Sequence, residues 1–126
     1  MASRIRVGFT STTRHMVGML QTPKFTDMEK TQIATDRETG EPLYTITLFV
    51  MEDERAETIK VTVPKSGLPN GLNLGSFVRP LNLFATPWAR VFNGQLQDGV
   101  AYRASGLELL AVSAPTVVDE PSEIAA

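Results

Sequence analysis

The feature that most limits the possible folds is the alternation of polar and apolar residues at 58–63, Thr-Ile-Lys-Val-Thr-Val. A period of two with β-branched side chains predicts a strand with one buried face. Residues 43–51 alternate in the same way, with one face formed by Tyr44, Ile46, Leu48 and Val50 and the other by Thr45, Thr47, Phe49 and Met51. The charged link between the two runs, MEDER, predicts that they form an antiparallel hairpin.

The rest of the chain also indicates an all-β protein. We predict a first strand at 14–21, a fourth at 76–85 with Pro80 at an edge or bulge, and a fifth at 100–112 with a bulge at Gly106. Three glycines and two prolines in residues 64–75 exclude a long helix there but allow one short helical turn. TPWARVFNGQLQDG (86–99) is interpreted as a loop. Five such strands predict a small OB-like barrel.

The domain organisation follows from composition. Residues 12–113 are expected to form one OB-fold domain, with a long polar wing at 27–41 that leads into the second strand at Pro42. Residues 1–11 are expected to be a flexible basic N-terminus. Residues 114–126 carry two prolines and three acids, which predicts a disordered acidic tail.

The residue types argue against an enzyme. The chain has no cysteine and a single histidine, His15, so it lacks the ligands of a zinc site. No phosphate-binding GxxxxGK[ST] loop is present. His15 is interpreted as a surface or strand residue, and Glu52 and Asp53 as part of a solvated turn. We therefore expect no catalytic residue, no metal and no cofactor.

Charge and hydropathy bear on location and partners. No apolar run follows Arg4 and Arg6, and no stretch has the apolar length of a membrane span, so we expect a cytoplasmic protein without a membrane partner. The net charge is −2, from 12 bases and 14 acids. Omitting the three tail acids leaves 12 bases against 11 acids, a body of charge +1.

Binding of single-stranded nucleic acid requires cations along a groove and exposed aromatic rings on which bases stack. Phe49 lies opposite the apolar face of its strand, and Trp88, Arg90 and Phe92 interleave aromatic and cationic side chains at a spacing of two. Phe49 could instead pack under a loop or subunit, and Trp88 could cap the core. The candidate nucleic-acid-binding residues are Arg14, Lys24, Arg37, Thr47, Phe49, Lys60, Arg79, Trp88, Arg90, Phe92 and Arg103.

Residues 40–110 resemble small OB-fold single-stranded-DNA-binding proteins of mobile elements. The hairpin that starts at GEPLY and the strand IKVTV are similar to those of the filamentous-phage single-stranded-DNA-binding proteins. GSFVRPLNLFATPWA resembles a stretch in the helicase processivity factors of integrative conjugative elements. The resemblance implies an OB-fold, sequence-tolerant binding of single strands, dimerisation, and roles for Phe49, Lys60 and Trp88.

These observations predict a non-sequence-specific single-stranded DNA-binding protein that serves replication or conjugation in a phage, plasmid or integrative element. The expected partners are single-stranded DNA, a second copy in a homodimer, and a replication or helicase protein. RNA remains open as the ligand, because stacking accepts either nucleic acid. The alternative is a protein–protein interaction or structural β-barrel module of a virion or conjugation machine, because exposed Trp, Tyr and Arg also form protein interfaces.

Overall fold

The computed structural model describes residues 4–26, 29 and 31–110. The acidic tail predicted at 114–126, and residues 111–112 of the predicted fifth strand, lie outside the described residues. Within the described part, no helix is both long and apolar enough to cross a membrane.

The described residues form an all-β structure, which confirms the predicted fold class. The strands are β1 (Ile5–Arg6), β2 (Arg14–Pro23), β3 (Leu43–Glu52), β4 (Arg55–Pro64), β5 (Phe77–Leu81), β6 (Phe84–Phe92), β7 (Gln95–Arg103) and β8 (Gly106–Leu109). A short 3₁₀ helix at Lys65–Gly67 supplies the single helical turn that the Gly/Pro-rich segment allowed.

All eight strands belong to one mixed sheet, in the order β1-β6-β7-β4-β3-β2-β5-β8. Every pair is antiparallel except β4 and β7, which run parallel. The sheet ends at β1 and β8 and is not closed into a barrel, so the predicted five-stranded OB barrel is not confirmed. Two of the five predicted strands, at 76–85 and 100–112, are each divided in two. A further strand, β1, forms in the N-terminal segment, which brings the number to eight.

The hairpin predicted from the alternating residues is confirmed. β3 and β4 pair over their whole length, from Leu43 and Pro64 at one end to Glu52 and Arg55 at the other. The turn consists of two residues, Asp53 and Glu54, and Asp53 takes a φ of 47°. Asp is one of the few non-glycine residues that adopt this left-handed conformation readily, so the tight turn costs little here.

Residues 86–99, interpreted as a loop from the sequence, lie instead in a second long hairpin formed by β6 and β7. Asn93 and Gly94 have φ values of 52° and 75°. Two successive positive φ angles are what a two-residue type I′ hairpin turn needs, and Asn-Gly is its preferred sequence. Pro87 is compatible with the strand because, among the described residues, only β7 pairs with β6 at that point.

Two predicted strands are interrupted. The predicted strand at 76–85 divides into β5 and β6 at Asn82, whose φ of 51° does not fit extended backbone. The predicted strand at 100–112 divides into β7 and β8 at Ala104 and Ser105. At this break the 3₁₀ helix approaches so closely that a Cβ at Gly67 would collide with the backbone of Ser105 and Gly106.

The core lies on one face of the sheet. Ile46 and Leu48 of β3 and Val61 and Val63 of β4 are fully buried, as the alternation predicted. The cluster is completed by residues of β2, β4, β5 and β8 and of the links before β6 and β8, namely Val17, Ile59, Val78, Leu107, Leu83 and Ala104. At the N-terminus, where a flexible segment was predicted, Ile5 and Arg6 pair with β6 and the Val7 N–H donates to the Leu83 carbonyl.

Candidate nucleic-acid interface

Strand register places the strand-borne candidate residues on the sheet face opposite the core, called the outer face below. Across β2, β3 and β4 one row runs Met19, Thr47, Lys60, and the next runs Met16, Phe49, Thr58. Thr62 of β4 is opposite Arg103 of β7, and Arg103 is opposite Phe84 of β6. Because side chains alternate along a strand, Trp88, Arg90 and Phe92 share this face with Phe84.

Phe49 lies on the outer face with its ring against the backbone of Gly18 in β2. A Cβ at Gly18 would stand 2.9 Å from two of the ring carbons, so the ring occupies the space that a side chain would fill. Phe49 as a residue is 38% exposed, which leaves room for a base to stack on the ring. Thr47, on the same face, is buried, so it packs beneath the surface and offers little area for contact with a ligand.

Trp88 repeats the arrangement in the second hairpin. It is paired with Gly99 of β7, and a Cβ at Gly99 would stand 2.8 Å from the indole ring. Large aromatic rings often cover a glycine in a neighbouring strand in this way. Trp88 is 40% exposed and does not cap the core. The Arg90 guanidinium lies 5.5 Å from the indole centroid, within cation–π range.

Lys24 and Arg103 meet at the root of the wing. The Lys24 ammonium donates to the Thr62 hydroxyl at 3.1 Å, and Arg103 forms an ion pair with Asp36 of the wing. Burial, and then the nearby Arg103 charge, lower the pKa of Lys24. The pKa of Asp36 is also lowered, first by the hydrogen bond from the Glu38 N–H and further by Arg103.

Sequence reasoning missed three residues that extend this surface. The Arg4 and Arg6 guanidinium groups lie 4.1 Å and 5.0 Å from the centroid of the Phe84 ring. β1 carries Arg6 to this place by pairing it with Phe84. The alternation of Arg4 and Arg6 around Ile5 was the available signal, since it is the pattern of a short strand with a basic face.

A cleft of about 600 Å³ lies between the wing and β6–β7. Its lining includes Arg4, Asp36, Arg37, Phe84 and Arg103. The candidate Arg37 therefore lies at the same site as Arg103. We call this the wing-root cleft.

Two further candidate cations, Arg14 and Arg79, also lie outside this cleft. Arg14 is exposed at the far end of β2 and donates to the Ser11 carbonyl. Arg79 of β5 forms an exposed ion pair with Glu108 of β8 at 3.1 Å. Such a pair is weak in water, but it occupies the Arg79 guanidinium, so Arg79 is the less available of the two cations.

Charge is divided between the two faces of the sheet. Glu52 and Glu57, and Asp98 of β7, share the side of their strands with the core residues. Glu108 is the strand-borne acid on the outer face among the described residues, and it is paired with Arg79. A chain with a slightly acidic total thus presents a basic outer face, the arrangement that draws polyanions to a protein surface.

His15 is a buried strand residue and not a surface one. It is 4% exposed, its ring packs edge-on against Phe9 at 4.5 Å, and its Nε2 has no hydrogen-bond partner among the described residues. Burial without a partner disfavours the charged imidazolium and lowers the pKa of His15.

The lowered pKa predicts a pH dependence of stability. Between the folded pKa of His15 and its unfolded value of about 6.5, the unfolded chain binds more protons, so stability is lost as pH falls below about 6.5. We expect NMR titration of this single histidine to give a pKa below 6.5, and His15→Phe to reduce the fall in Tm between pH 7 and pH 5. An NMR pKa at or above 6.5 would contradict the prediction.

Within the described residues, no group of three or more His, Cys, Asp or Glu side chains could hold a metal ion. The outer face combines exposed aromatic rings with cationic side chains, groups that can stack on planar rings and pair with anions. Comparisons of the chain with protein-family models, with curated proteins and with solved structures found no match.

Proposed function

We propose that this protein binds single-stranded nucleic acid without sequence specificity and performs no catalysis, with single-stranded DNA as the expected ligand. The observation that carries the proposal is the outer face, where Phe49 and Trp88 each rest on a glycine and stay about two-fifths exposed. Cations line the same face while most strand acids lie on the other. Stacking and phosphate neutralisation are the two contributions that sequence-tolerant binding of single strands needs.

We also propose that the strands follow the course of an OB-fold, a partly open barrel known for oligonucleotide binding, although their sheet is not closed. Its support is the pairing pattern: β2, β3 and β4 form an antiparallel meander, β4 runs parallel to β7, and β5 pairs with both β2 and β8. Ala104 and Ser105, between β7 and β8, donate to the carbonyls of Thr62 on β4 and Leu81 on β5. Counted as one bent strand, β7–β8 thus links β4 to β5.

The biological setting we propose is replication or conjugation of a phage, plasmid or integrative element, with a homodimer as the acting species. A single small domain offers only a short binding groove, and a dimer would double its length. Sedimentation of the full chain tests the dimer, which the proposal expects with and without oligonucleotide.

The second candidate is a protein–protein interaction module, and one observation favours it. Val91 and Leu96 on the other face of the β6–β7 hairpin are 72% and 71% exposed, and Val100 beside them is also exposed. Apolar side chains grouped on a projecting hairpin can mark a partner surface. This module predicts an unchanged elution volume in the presence of DNA.

The test of the primary proposal is quenching of Trp88, the single tryptophan, on titration with a poly-thymidine oligonucleotide at low and at high salt. We expect saturable quenching that weakens steeply as salt rises, since released counterions drive such binding. A poly-uridine oligonucleotide of equal length compares RNA with DNA. Absence of quenching, together with no mobility shift at low salt, would favour the protein-interaction module.

A further inference from the structure

Asp36 is the acid that lies closest to the basic surface at the wing root. Its Oδ2 accepts a hydrogen bond from Arg103 Nη2. Its Oδ1 accepts hydrogen bonds from the backbone N–H groups of Glu38 at 2.7 Å and Thr39 at 3.3 Å. The two N–H groups belong to the turn that follows Asp36 and hold its carboxylate in place, whereas the Arg103 guanidinium is a donor that phosphate oxygens commonly accept from.

The surroundings carry more positive charge than Asp36 can balance. Arg4 and Arg37 line the same cleft, and Arg6 lies over the Phe84 ring. Lys24 is close enough to Arg103 for the two charges to lower the pKa of Lys24. Three arginines, Arg4, Arg37 and Arg103, line the cleft against two acids, Asp36 and Glu38, so the cleft keeps an excess of cations next to the Phe84 ring.

We infer that the wing-root cleft is a binding site for a backbone phosphate of the nucleic acid, and that Asp36 occupies the place of this phosphate in the free protein. The inference rests on the proposed function and adds a site formed by Arg103, Arg4 and Arg37 around Phe84, residues that no sequence pattern grouped together. When a strand enters, a phosphate oxygen replaces the Asp36 carboxylate on Arg103.

The substitution Asp36→Asn tests this site. Asparagine retains a side-chain oxygen for the Glu38 and Thr39 N–H groups but loses the charge that pairs with Arg103. We expect binding of a poly-thymidine oligonucleotide to tighten about two- to fivefold at low salt, the size of an exposed ion pair. The slope of log affinity against log salt should steepen by roughly 0.7, the increment for one added phosphate contact with a single strand.

Two further variants make the result specific. Glu57→Gln removes one negative charge from an exposed ion pair with Arg55 on the opposite side of the strand, and should leave the salt slope unchanged. In an Arg103→Gln background, Asp36→Asn should have no effect, because the group for which carboxylate and phosphate compete is gone. Thermal unfolding of each variant verifies that the wing substitution leaves the chain folded.

The outcomes separate this site from the proposed function. If the wild type binds the oligonucleotide and Asp36→Asn binds equally or more weakly, the phosphate site is overturned and the proposed function stands. If neither the wild type nor any variant binds an oligonucleotide, the proposed function fails. The anion site is then tested by itself, through the rise in Tm that inorganic pyrophosphate produces in each variant. Greater stabilisation of Asp36→Asn than of wild type by pyrophosphate, abolished by Arg103→Gln, supports the anion site; equal stabilisation overturns it.

Discussion

Replacing Trp88 with alanine is expected to weaken binding of a poly-thymidine oligonucleotide by about 5- to 150-fold, the equivalent of roughly 1–3 kcal/mol for the loss of one stacked base. The indole rests on Gly99, Trp88 is 40% exposed, and the Arg90 guanidinium lies over the ring, so a base can stack on the part of the indole that solvent now reaches. Because the variant lacks the only tryptophan, its affinity is measured by the anisotropy of a fluorescently labelled oligonucleotide.

The matched control is Val91→Ala in the same strand. Val91 is more exposed than Trp88 but lies on the other face of the β6–β7 hairpin. Its truncation should change affinity less than twofold, since surface substitutions away from a site have effects of about 0.5 kcal/mol or less. Equal losses of affinity in the two variants would contradict the stacking role of Trp88. They would show that binding depends on the stability of the hairpin or on its apolar face.

Leu48→Ala and Phe49→Ala, in adjacent residues of β3, are expected to have opposite consequences. Leu48 is fully buried, and its truncation should lower the free energy of unfolding by about 2–5 kcal/mol through lost burial and the cavity left behind. Phe49 lies on the outer face, so its truncation should mainly weaken binding of single strands, again by roughly 1–3 kcal/mol. Urea unfolding and oligonucleotide titration measure the two effects separately.

The pair of variants tests the assignment of the two faces directly. Leu48→Ala should bind the oligonucleotide with wild-type affinity under conditions in which it is fully folded. Phe49→Ala should lose clearly less stability than Leu48→Ala, because Phe49 is partly exposed and its ring packs on Gly18 at the surface. A Phe49→Ala variant that loses stability but retains affinity would instead assign Phe49 to packing on β2 and remove it from the interface.

Much of the β3–β4 hairpin and its faces could be predicted from the sequence. Alternation with a period of two is a local property, and burial of one face follows from it wherever a core forms. The outward position of Phe49 and Lys60 was predicted on this basis. The β6–β7 hairpin was missed although Asn93-Gly94 is a strong turn signal, because the weak alternation around Pro87 obscured the strands on either side.

The wing-root cleft could not be found in the same way. The residues that form it, Arg4, Asp36, Phe84 and Arg103, are far apart along the chain, and no local pattern relates them. They come together because β1 pairs with β6, β7 runs parallel to β4, and the wing folds back to place Asp36 on Arg103. Each of these contacts depends on which strands become neighbours.

The sequence by itself therefore determined the strand character of the chain, the buried face of its central hairpin and the residue types available for binding. Only the tertiary structure decided the number of strands, the common face of Phe49 and Trp88, and the cluster of cations around Asp36. The physical reason is that side-chain alternation is set by the geometry of the local backbone. Strand neighbours are instead selected by the packing of a whole core, and contacts between distant residues follow from that selection.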